Sequence, residues 1–83
     1  EDHLIEKEEL AEYEELIRRL YEAISSLPSM QARRVHARYM LGMKVKDIAA
    51  MEGITPSQAG KSIHAALRRL RRYFARQKWT VNL

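Results

Sequence analysis

The fold turns on the stretch Asp47-Ile48-Ala49-Ala50-Met51-Glu52-Gly53-Ile54-Thr55-Pro56-Ser57-Gln58. Thr55 places a hydroxyl at an N-cap, and Pro56 takes the first helical position, where its missing N–H is not needed. Gln58 stands three residues after the cap, completing a capping box that starts a helix. Gly53 supplies the positive φ that ends the helix before it. That preceding helix is read over residues 45–52, with Ile48, Ala49 and Met51 on its inner side and Ile54 pointing inward from the turn. Small Ala49 lets the two helices cross closely. Downstream, Ala59, Ile63, Ala66, Leu67, Leu70 and Phe74 recur at three and four residues, so one stripe faces a core and the rest faces water or a ligand. A short helix, a tight turn and a long second helix over residues 45–74 form the layout of a DNA-binding helix-turn-helix.

Outward from this motif the chain reads as helix almost throughout. Residues 4–27 contain no helix breaker, and Leu10, Ile17 and Ile24 alternate with Tyr13, Leu20 and Leu27 in a seven-residue pattern. This is one amphipathic helix, expected to pack on its own domain, with dimerisation through it as the other use. Pro28 suits the first turn of a new helix, which Val35, Tyr39 and Met40 carry to a stop at Gly42. The tail, residues 77–83, is expected to fold back through Trp79 and Val81 or to fray. The expected architecture is all-α: a small bundle of about four helices, with an acidic helix over residues 1–27, the helix-turn-helix domain over 28–76, and the tail.

Composition agrees with this reading. Three Gly and two Pro in 83 residues leave little material for strands or long loops, and a chain of this length supports one small core. Absent cysteine excludes disulfides and thiolate metal sites and fits a cytoplasmic setting. No apolar run is long enough for a membrane span. The chain begins at Glu1 rather than Met and is expected to be part of something longer. Charge is divided sharply: residues 1–27 hold nine acids against three bases, a net −6, and residues 28–83 hold twelve bases against Asp47 and Glu52, a net +10. A polyanion is the natural partner of the basic portion.

The stretch Leu27-Pro28, Arg33, Val35, Tyr39, Gly42, Asp47-Ile48-Ala49, Gly53-Ile54-Thr55, and Ala66-Leu67 through Leu70-Arg71 resembles region 4 of the sigma-70 family of bacterial RNA polymerase sigma factors. The likeness covers about residues 20–74. It implies a transcription factor domain that reads a −35-type promoter element in duplex DNA and holds the β flap of core RNA polymerase. This chain has Ala59 where the family usually has a β-branched residue, Gly60 and Ala65 where it has basic or polar ones, and Lys44 where it has a capping Ser or Thr.

With the second helix in the major groove, its first turns nominate Ser57, Gln58, Lys61, Ser62 and His64 for base edges. Gln58 has two open uses: adenine recognition, or the capping box with Thr55. Arg33, Arg34, Lys44, Lys46, Thr55, Arg68, Arg69 and Arg72, with Arg76 beyond them, are expected to form a phosphate-contacting rim; pairing of residues 68–72 with the acidic helix is the competing use of those arginines. His3, His36 and His64 lack metal-ligand spacing, and no nucleophile constellation or phosphate loop is visible, so no metal, no cofactor and no enzymatic activity are expected. Met40, Met43, Met51 and Tyr39 read either as core filling or as a docking surface. Two further readings stand beside the sigma-like one: a protein-interaction module that keeps the helix-turn-helix shape without reading bases, and a stand-alone regulator, of the kind found in mobile elements, that dimerises through residues 10–27 and reads a two-fold site; the chain itself is expected to be a monomer or a weak dimer through its first helix.

Overall fold

The computed structural model describes residues 7–77, and every regular element in it is helical. The expectations placed on Trp79, Val81 and the remainder of the tail, and on residues 1–6, lie outside the described residues. Four helices follow one another: α1 (Lys7–Ser25), α2 (Ser29–Val35) with a π-helical extension (His36–Met40), α3 (Val45–Glu52) and α4 (Pro56–Arg76).

The termini follow the local chemistry. At Gly53 the backbone adopts φ 70°, the Gly53 N–H donates to Ala50 O at 3.3 Å and the Ile54 N–H to Ala49 O at 3.0 Å. This double closure ties off the last carbonyls of α3 and turns the chain sharply into α4. Thr55 and Gln58 form the reciprocal capping box: the Gln58 N–H donates to Thr55 Oγ1 at 3.1 Å, and Gln58 Oε1 accepts from the Thr55 N–H at 2.9 Å.

Pro28 sits at the N-cap of α2 rather than inside its first turn, its carbonyl accepting from the Ala32 N–H at 2.9 Å. The helix that follows does not run as a single α-helix to Gly42. After Val35 it widens to i→i+5 bonding, as in Leu41 N–H to His36 O at 3.1 Å. Met40, five after Val35, therefore packs on the core, while Tyr39 is 54% exposed, contrary to the inward place expected for it. Gly42, at φ 70°, then breaks the helix as expected.

One core cluster joins α1, α2 and α4 through Ala23, Ile24, Leu27, Val35, Ala66, Leu70 and Phe74. Ile48 and Ala49 of α3 and Ala59 and Ile63 of α4 are buried along the helix-turn-helix. Met51, expected on the inner side of α3, is instead 76% exposed. Only the C-terminal half of α1 contributes to the core. In its N-terminal half Leu10 and Tyr13 are exposed.

Candidate nucleic-acid interface

The buried stripe of α4 fixes what its opposite side presents. With Ala59, Ile63, Ala66, Leu70 and Phe74 inward, a 3.6-residue turn places Lys61, Arg68 and Arg72 in line along the outer face, with Ala65 between them. All three cations are exposed. Among the described residues, Arg68, Arg69 and Arg72 make no ion pair. Within the acidic helix, Arg18 donates to Glu15 and to Glu22, and Arg19 to Glu15. Those hydrogen bonds from Arg18 and then Arg19 hold the Glu15 carboxyl below its ordinary value. Ser57 and His64 are exposed on the same side of α4, and Lys44 and Lys46 are exposed at the start of α3.

Five nominated residues have partners or places that bear on the expectation. Arg34 is 9% exposed and does not reach a phosphate-facing surface. Its Nε and Nη2 donate to Glu52 Oε1 at 2.8 and 2.6 Å, and its Nη1 donates to Ser62 Oγ at 2.8 Å. Through this bond Ser62 ties α4 to α2. Gln58 uses its side-chain oxygen in the capping box, and the Thr55 hydroxyl accepts there too. Arg33, although exposed, lines a different surface, described below. The structure thus brings together Ser57, Lys61, His64, Arg68, Arg69 and Arg72 on one helix, flanked by Lys44 and Lys46.

Gly60 has helical geometry, and a Cβ there would meet nothing within 4 Å. Among the described residues no packing requires this glycine.

A second surface lies between α1, α2 and α3: an apolar groove of about 580 Å³ lined by Ile24, Arg33, His36, Leu41, Met43 and Met51, among others. Leu41, 63% exposed, was not singled out by the sequence. Its place follows from the π-helical turn, which helical periodicity does not signal. Arg38 was also missed; its Nη1 donates to Met43 O at 3.1 Å and its guanidinium lies 5.7 Å from the Tyr39 ring centroid, fixing the loop at the groove's edge. Of the four residues read as core or docking surface, Met40 packs on the core and Met43 and Met51 line the groove.

Among the described residues no group of His, Asp or Glu could hold a metal ion, and no helix is long and apolar enough to cross a membrane. No curated protein matches the chain. The family model described as Sigma-70, region 4 matches residues 17–70, a span that contains the buried core contributed by α1, the whole of α2 and α3, and the exposed cationic face of α4 as far as Leu70. The chain therefore belongs to the sigma-70 region 4 family and is a DNA-binding helix-turn-helix domain of the sigma-like transcription factors.

Proposed function

We propose that this domain recognises a −35-type promoter element, with α4 in the major groove and Lys61 as its principal base-reading residue, assisted by Ser57 and His64. The observation that carries this reading is the exposed line of Lys61, Arg68 and Arg72 opposite the buried stripe of α4. A lysine on the first turns of a recognition helix reaches guanine acceptors, and the arginines further along the helix meet the phosphates. Arg69, Lys44 and Lys46 extend the phosphate rim. The same reading makes the apolar groove the seat of the β flap of core RNA polymerase, with Leu41 and Met51 entering the contact and Arg33 on its rim. It places the protein in the cytoplasm and needs no cofactor.

Fluorescence anisotropy on a random duplex and on a promoter-library pool tests the DNA half. Sequence-selective binding supports the reading; failure to bind either duplex at low salt would overturn it. The exposed Leu41 and Met51 favour a second reading, a helix-turn-helix that docks on protein without reading bases. Binding of core polymerase that is lost in Leu41→Glu/Met51→Glu, in a chain with no affinity for DNA, would establish that alternative.

A further inference from the structure

The N-terminal half of α1 lies outside what region 4 accounts for, because the family match begins at residue 17. The line of Leu10, Tyr13, Ile17 and Leu20 continues into Ile24 and Leu27, at alternating spacings of three and four residues. These are the a and d positions of a heptad pattern. At Ile24 and Leu27 the line is buried in the core; at Leu10 and Tyr13 it is 44% and 59% exposed. Leu16 and Tyr21, exposed as well, widen it. The helix therefore carries an apolar strip beyond the body of the domain, where none of the described helices covers it.

The flanking charges say what covers it. Glu9 and Glu14 occupy the g and e positions beside the strip, the places that set partner choice between paired helices. Residues 7–17 hold five acids against Lys7, a net −4. Two copies of this chain laid together through the strip would set −4 against −4, so a second copy is disfavoured. Duplex DNA is repelled for the same reason, leaving the strip free while α4 occupies a duplex.

We infer that the overhanging half of α1 is a docking strip for an amphipathic helix of another protein, one with an apolar a/d ridge and lysine or arginine at the flanking positions. Its residues are distinct from those that read DNA and from the groove between α1, α2 and α3. The apolar ridge extends the seam already formed at Ile24, and the cations meet the acidic flank at Glu14.

The test titrates the full chain with two synthetic helical peptides, each with Leu at a and d, one with Lys and one with Glu at e and g. The Lys peptide is expected to bind at least about tenfold more tightly than the Glu peptide, with affinity falling as salt rises. Leu10→Ser/Tyr13→Ser should abolish binding, and Glu14→Gln should weaken the preference for Lys. Both variants replace exposed side chains, so helix content by circular dichroism and affinity for DNA should match the parent chain. Equal binding of the two peptides, no binding of the Lys peptide, or unchanged binding by Leu10→Ser/Tyr13→Ser would each overturn the inference. Self-association of the chain in sedimentation that the same double substitution abolishes would assign the strip to a second copy instead.

Discussion

Arg34 holds one carboxylate oxygen of Glu52 with two donors, Nε at 2.8 Å and Nη2 at 2.6 Å, across a gap of eighteen residues in sequence. With Nη1 on Ser62, the guanidinium joins α2, α3 and α4 at one point. Arg34→Met should strand the Glu52 carboxylate and the Ser62 hydroxyl, lowering stability by about 2 to 3 kcal/mol. For a domain of this size that is a drop of roughly 10 to 20 °C in Tm. Adding Glu52→Leu should restore most of the loss, since an apolar pair of similar volume replaces the ion pair without an uncompensated charge. Thermal unfolding by circular dichroism reads both, and Arg33→Ala, at the exposed neighbour, should stay within about 0.5 kcal/mol.

The same contact makes stability depend on acid pH. Hydrogen bonding from Arg34 holds the Glu52 carboxyl below 4.5, outweighing its partial burial, and Arg18 does the same for Glu15. A folded-state pKa below the unfolded one means the unfolded chain binds more protons in that range. The contribution is therefore complete above pH 4.5 and is lost as pH falls through the folded-state values. Tm measured downward from pH 5 should fall, and Glu52→Gln should fall less steeply from a lower start. A parallel slope for the parent chain and the variant would show that Glu52 is not among the groups responsible.

How far the sequence could be read depended on the range of the interactions. The capping box at Thr55 and Gln58 and the αL turn at Gly53 that ends α3 arise within six residues of one another, and residue types at fixed offsets announce them. The cationic face of α4 was legible for the same reason, because helical periodicity converts Lys61, Arg68 and Arg72 into one line. Arg33 and Arg34 could not be told apart, since only the distant Glu52 and Ser62 decide which of two adjacent arginines turns inward. Tyr39 and Leu41 were obscured by the π-helical turn, which shifts inward positions from a 3.6-residue repeat. Met51 obeys the periodicity yet faces the groove, because none of the described elements lies over that side of α3.

Gly60 offers a direct test of the packing on α4. Its backbone is helical and an added Cβ meets no atom within 4 Å. Gly60→Ala should raise stability by about 1 kcal/mol through the lost conformational freedom of the unfolded chain, or roughly 4 to 8 °C in Tm. A fall in Tm would mean that α4 departs from regular helix at this point.

The capping box separates two roles for neighbouring residues. Thr55→Ala removes the acceptor for the Gln58 N–H and should lower stability by about 1 kcal/mol. Gln58→Ala should also destabilise, by a smaller amount, and leave the DNA sequence preference unchanged, because its side chain is held on the Thr55 N–H rather than presented to bases. Selection from a randomised duplex library reads the preference. A changed consensus with Gln58→Ala would mean that the box opens on DNA.

Lys61 and Arg68 differ in what they should contribute to DNA binding. If Lys44, Lys46, Arg68, Arg69 and Arg72 each meet a phosphate, log K should fall with log salt at a slope of about −4.5, and Arg68→Ala should reduce that slope by about one. Because a phosphate contact carries no sequence information, the loss for Arg68→Ala should be the same on every duplex. Lys61→Ala should instead relax preference at one or two positions, with a cost of about 1 to 3 kcal/mol on the preferred sequence and little on a random one. Anisotropy titrations over a salt series on preferred and random duplexes separate the two. A uniform loss for Lys61→Ala would move it to the phosphate rim and leave Ser57 and His64 as the residues of α4 that read bases.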